Sequence, residues 1–159
     1  MKLEAPGGGT VELRVVDRTT LEPALDPAVD PARDPVPAPQ PVLLVVEGVV
    51  DAGDGRAWTF RDACLTAAEA AELGGWLLRA AKGRLELPDR LAFASPSLTF
   101  TLEEHDHLQP RVTVGFSLAA APPWLGEERD RTYDYPVTLD LDPGTLEAAA
   151  VDWERQVSG

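Results

Sequence analysis

The chain has 159 residues, 44% of them hydrophobic and 26% charged, the composition of a polypeptide that folds around a core. Fourteen basic against 27 acidic side chains leave a formal charge of −13, which repels phosphate backbones, excludes nucleic acid as an expected partner and favours a basic protein instead. The one cysteine, Cys64, has no partner for an internal disulfide, and neither a membrane span nor a signal peptide is legible, so the expected location is the cytoplasm.

In chain order, Thr10–Thr19 ("TVELRVVDRT") is rich in β-branched residues and partly alternates, which predicts a first strand. Prolines 23, 27, 31, 35, 37, 39 and 41 then crowd one segment. Proline lacks the amide donor and pushes its predecessor toward extended backbone, so neither helix nor central strand persists there. The expectation is a single domain over 1–159 carrying a solvated, partly polyproline-like loop insertion at 21–41.

Val42–Val50 ("VLLVVEGVV") is almost continuously apolar, which predicts a central strand covered on both faces. Asp51–Gly55 is turn material, and Arg56–Asp62 alternates as the returning arm of a hairpin. A helix follows. Thr66 and Glu69 have the spacing of a capping box, Leu73, Trp76, Leu77 and Ala80 share one face, and Gly83 is placed to end it. Gly74 and Gly75 inside this helix each cost about 1 kcal/mol against alanine, and close packing on a neighbour would be a reason to keep them.

Arg84–Leu87 is expected to form a short strand, and Ser97–Glu104 with Arg111–Ala119 a second hairpin. Arg131–Leu141 is a further strand, its Tyr135-Pro136 step marking an edge or a kink. Asp142 and Pro143 open a C-terminal helix as N-cap and first residue, with Leu146, Ala149, Ala150, Trp153 and Val157 as its buried stripe. The predicted fold class is therefore α+β, a mainly antiparallel sheet of about six to seven strands with two helices.

Little of the sequence carries chemistry. Glu103, His105 and His107 would share one face of an extended strand, and two histidines with a carboxylate can hold zinc. They sit where a strand gives way to a polar turn, so a solvated hairpin end is the plainer reading. Cys64 precedes a helix start but lies between Ala63 and Leu65, the setting of a buried structural thiol. Gly7–Gly9 precedes a strand and lacks the lysine of a phosphate loop, so no cofactor is expected.

Several pieces in this order are distinctive: "LRVV", then "LLVVEGVV" and "DGRAWTFRDACLTAAEAAELGGWL", a "SLTFTL" strand, "VGFSLAAAPPW" and a C-terminal helix. From about Val11 to the end the chain resembles the WapI-type immunity proteins and their actinobacterial relatives. The resemblance implies a compact α+β protein that neutralises a cognate polymorphic toxin by binding it, in the type case a tRNA-cleaving domain. It carries no family-wide binding residues. Ala63 stands where the family commonly has proline, and the proline-rich stretch replaces a more aromatic loop.

The residues are compatible with such an inhibitor, since an acidic protein can fill the basic cleft of a nuclease. The candidate partner-binding residues are Asp51 and Asp54 in one loop, Glu103, Glu104 and Asp106 in a second, and Glu127 and Glu128 in a third. Trp124, after Pro122-Pro123, is the aromatic expected at the surface as an interface anchor. The expectation is a non-enzymatic immunity-like protein with a basic protein partner. Two alternatives stay open: a metal-dependent or cryptic enzyme using Glu103, His105 and His107, and a stand-alone interaction domain.

Overall fold

A computed structural model describes residues 1–20, 41–103, 109–130 and 134–159. The described residues form two antiparallel four-stranded sheets, two α-helices and two short 3-10 segments. The first sheet runs in chain order: β1 (Lys2–Glu4), β2 (Thr10–Thr20), β3 (Val42–Asp51) and β4 (Ala57–Thr66). After α1 (Ala67–Ala81), the second is built the same way from β5 (Asp89–Ala92), β6 (Leu98–Glu103), β7 (Arg111–Phe116) and β8 (Tyr135–Asp140). The 3-10 segments Leu118–Ala120 and Pro123–Asp130 lie between β7 and β8, and α2 (Pro143–Ser158) ends the chain.

Two sheets thus replace the single sheet of six to seven strands expected from the sequence. Three residues of β1 are too few to leave a periodic signal, and Gly8 and Gly9, both at positive φ, turn the chain back into β2. The strand expected at Arg84–Leu87 is absent; β5 forms instead at Asp89–Ala92. Arg84 is already committed, its amide donating to Arg79 O while the Gly83 amide donates to Ala80 O. These two bonds, with Gly83 at φ 65°, close α1 in a Schellman motif. The predicted proline-rich insertion lies, apart from Pro41, outside the described residues.

Central position was the right expectation for β3, but cover on both faces was not. Leu44, Val46 and Val50 are fully buried, whereas Val49 on the opposite face is 47% exposed. Along that opposite face Leu43, Val45 and Glu47 are half-buried, so the described residues cover one side of β3 fully and the other only in part. β4 runs further than its alternation foretold, through Thr66. A bulge there places Ala63 opposite Val45 and Leu65 opposite Leu44. Cys64 is the extra residue, which is why two successive side chains, Cys64 and Leu65, both point inward.

The α1 capping box is complete: Glu69 N–H donates to Thr66 Oγ1 at 3.2 Å, and Thr66 N–H to Glu69 Oε2 at 2.8 Å. Glu69 also accepts from the Ala94 amide at 2.9 Å, tying the loop before β6 to the helix start. Burial pushes its carboxyl up, and the amide bonds from Thr66 and Ala94 outweigh that and hold it below the ordinary value. Asp142 accepts from the Gly144 amide and caps α2, as its Asp-Pro pair foretold.

α2 packs against α1. Trp153 lies over Gly74, where an added Cβ would sit 3.5 Å from the indole, and Trp153 Nε1 donates to Ala70 O at 2.8 Å. Gly74 therefore permits the close helix approach, while nothing crowds Gly75. Trp76 carries α1 to the second sheet, its ring 6.2 Å from Phe100 and its Nε1 donating to Asp89 Oδ1 at 2.7 Å. Phe60 and Phe116 join the sheets directly, 5.8 Å between centroids, as does the Ser97 hydroxyl, which donates to Asp62 at 2.6 Å. Residues of both sheets and both helices form one buried cluster, in which each fully covered aliphatic or aromatic side chain is worth about 1.5–3 kcal/mol.

Candidate functional site

The two sheets meet at a cluster of aromatic rings centred on Trp58 of β4. Alternation along β4 turns Trp58 and Phe60 to the same buried side. Trp58 is 5% exposed, and its Nε1 donates to Ala120 O at 3.0 Å, fixing the 3-10 turn that follows β7. Phe116, Trp124 and Tyr135 stand edge-to-face against it at 5.3, 5.4 and 5.4 Å. Trp124 and Tyr135 also meet each other at 6.1 Å and 84°. Such perpendicular pairs match ring edge to ring face and hold each ring in one orientation.

Trp124 is the outer member of this cluster and is 48% exposed. Among the described residues its indole nitrogen makes no hydrogen bond, whereas those of Trp58, Trp76 and Trp153 all do. It sits at the start of Pro123–Asp130, where Gly126 adopts φ 57° and ψ −126°, a conformation open to glycine alone. Past that kink Glu127 and Glu128 are exposed.

Tyr135 links the aromatic cluster to the β3–β4 turn. Its hydroxyl accepts from Arg56 Nη1 at 3.1 Å, and Arg56 Nε lies 3.7 Å from Asp54 Oδ2. Tyr135 first and Asp54 after it hold the Arg56 guanidinium above its ordinary value. Asp51 and Asp54 also accept from the amides of Gly53 and Arg56, at 2.9 and 3.0 Å, so both carboxylates shape the turn. Leu118, the one described non-glycine residue at positive φ (53°), begins the 3-10 turn that carries Ala120.

Of the residues singled out in the sequence, Asp54 and Trp124 are connected through Arg56 and Tyr135, and Glu127 and Glu128 share a segment with Trp124. Glu103 stands apart. It pairs with Arg111, and Arg111 with Asp140, at the end of the second sheet opposite to the Leu98–Phe116–Tyr135 row. There it is half-buried and accepts from Thr113 Oγ1 at 3.1 Å. Glu104, His105, Asp106 and His107 lie outside the described residues. Among the described residues no group of three or more histidine, cysteine or acidic side chains is arranged around a common metal position.

Sequence reasoning missed Arg56, Trp58 and Tyr135 as parts of this surface. The usable signal was the Trp-x-Phe alternation of β4 beside a tyrosine at the start of an edge strand. Cys64 is 1% exposed, and burial, followed by the charges of Asp62 and Glu69, pushes its thiol up to about 12. At neutral pH it is a protonated core side chain, not a nucleophile.

Fold and surface define an α+β protein that presents a half-exposed tryptophan on a segment that also carries exposed carboxylates. The model of the Immunity protein WapI-like family matches residues 2–158, nearly the whole chain, and the chain belongs to that family. No curated protein and no solved structure matches it. Membership supports an immunity role, in which a toxin protein is the bound partner, and immunity proteins generally act without catalysis. Among the described residues no helix is long and apolar enough to cross a membrane.

Proposed function

We propose that this chain is a non-enzymatic immunity protein that neutralises a basic toxin domain, of the nucleic-acid-cleaving kind, by stoichiometric binding in the cytoplasm. Family membership supports the role, and the formal charge of −13 supports a basic partner. A nuclease that grips phosphates needs a cationic cleft, and an acidic protein entering that cleft displaces the substrate without chemistry of its own.

The observation that carries the reading is the exposed aromatic of Trp124, linked through Tyr135 and Arg56 to Asp54 and followed in its own segment by the exposed Glu127 and Glu128. Interface anchors of this type are enriched in tryptophan and work best when rigid before binding. Asp51 belongs to the same turn as Asp54. Glu103, at the far end of the second sheet, and the acidic Glu104 and Asp106 that follow it in sequence add to the charge that would steer a basic partner.

Co-expression tests this function. A nuclease-type toxin domain sought in the neighbourhood of this protein's gene is induced in a bacterial host with and without the chain. Restored growth, together with a complex recovered by gel filtration, is the expected outcome. Equal growth arrest in both cultures would overturn the immunity reading.

A further inference from the structure

The chemistry around Trp124 specifies what it receives. An aliphatic anchor from a partner needs a wide apolar surround, and among the described residues the other exposed large hydrophobics, Val16, Val42, Val49, Leu87 and Val151, lie on the first sheet, after α1 and on α2. Pro123, Gly126, Glu127 and Glu128 are the exposed neighbours along the segment. A nucleic-acid base could stack on the ring, but its phosphates would meet the same carboxylates.

A planar cation fits both features. Tryptophan is the ring that best attracts a cation over its face, and a guanidinium both stacks on indole and hydrogen-bonds to carboxylates. Among the described residues, the two arginines of these segments already have partners. Arg56 is held between Tyr135 and Asp54, and Arg129 donates to Ala119 O at 3.0 Å. Among the described residues of these two segments, Asp51, Asp54, Glu127 and Glu128 outnumber those two arginines.

Trp124 is also pre-set for the role. Its contacts with Trp58 and Tyr135 fix the ring before any partner arrives, so little side-chain freedom is lost on binding. We propose that Trp124 is the anchor of the toxin interface and receives an arginine side chain of the toxin, with Glu127, Glu128 and Asp54 balancing its charge. This rests on the immunity reading and adds to it the side chain the partner must supply.

The experiment has two arms. In the first, the 15N-labelled chain is titrated with an acetylated, amidated Arg-Gly-Arg-Gly-Arg peptide while the four tryptophan indole N–H signals are followed by NMR. The indoles of Trp58, Trp76 and Trp153 are bonded internally, so the expected result is a saturable shift of the Trp124 signal alone. A peptide with glutamine for each arginine should leave it in place. By fluorescence anisotropy, Trp124→Ala and the exposed pair Glu127→Gln/Glu128→Gln should each weaken binding of the arginine peptide at least fivefold. An unmoved Trp124 signal, a shift equal with the glutamine peptide, or unchanged affinity of both variants would overturn the arginine site.

In the second arm, wild type and the same variants are tested for neutralisation of the toxin domain. Loss of protection in Trp124→Ala, with the circular dichroism of wild type, is expected. If wild type protects and both variants protect equally, the anchor is wrong and the immunity reading stands. If the peptide seats on Trp124 but wild type does not protect, the arginine site stands as a basic-peptide site, and the immunity reading and the toxin anchor fail together.

Discussion

Trp58 and Trp124 meet edge to face, 5.4 Å between ring centroids and at 86°, yet one is 5% exposed and the other 48%. One ring belongs to the core and the other is held by it at the surface. Trp58→Ala removes three ring contacts and leaves the buried Ala120 carbonyl without its donor, for an expected loss of about 3–5 kcal/mol. Trp124→Ala should cost only about 1 kcal/mol, the scale of an edge-to-face pair at a half-open site. Urea unfolding followed by circular dichroism compares the two. Equal losses would refute the division between core and surface ring.

Gly48 of β3 and Phe60 of β4 face each other, and a Cβ on Gly48 would fall inside the Phe60 ring. Phe60 needs that place to reach Phe116 of the second sheet. Gly48→Ala should therefore destabilise by about 1–3 kcal/mol through overpacking. In combination with Phe60→Leu, which frees the space, the double variant should lose less than the sum of the two separate losses. Strict additivity would show that the ring does not need the glycine.

The ammonium group at Met1 is buried, donates to Leu13 O at 2.7 Å and pairs with Asp152 Oδ2 of α2 at 2.9 Å. The hydrogen bond to this ammonium, joined by one from Gln156, holds the Asp152 carboxyl below its ordinary value despite some burial. A carboxyl lowered in the folded state binds protons more weakly there than in the unfolded chain. Its stabilisation is present above the unfolded pKa and fades as pH falls through the folded one. Asp152→Asn should lower the melting temperature at pH 7 and differ little from wild type at pH 2–3. A constant gap across that range would contradict the pairing.

Cys64 provides the opposite sign. Its thiol is pushed up to about 12 in the folded chain from an ordinary 9.0, so the unfolded chain ionises first as pH rises. Stability attached to the protonated thiol is whole below about pH 9 and declines toward pH 12. Ellman's reagent at pH 8 should label the thiol only as fast as the chain opens, with labelling accelerating in parallel with urea unfolding. Immediate labelling of the native protein would place Cys64 at the surface.

Much of the fold was legible because its signals are local. The Thr66–Glu69 box, the α1 stripe and the Asp142-Pro143 start each depend on residues within a few positions of one another. The β3–β4 hairpin was legible for the same reason. The division into two sheets was not, because it follows from where α1 delivers the chain and from contacts such as Phe60–Phe116. Cover on β3 depends likewise on which side the helices pack, which an apolar run such as Val42–Val50 does not encode.

The candidate surface was half legible. Trp124 stood out beside two prolines, and Asp54 stood out in its turn. Arg56, Trp58 and Tyr135 join them through contacts that include Arg56–Tyr135 and Trp58–Ala120, 79 and 62 positions apart, which no local pattern carries.

The central claim is most directly tested by titrating the purified toxin domain with the chain in a calorimeter at several salt concentrations. The account expects saturable binding that weakens as salt rises, with Trp124→Ala weakened at every salt concentration and Glu127→Gln/Glu128→Gln showing a shallower salt dependence. Binding that is indifferent to salt and to both variants, or no binding at low salt, would contradict it.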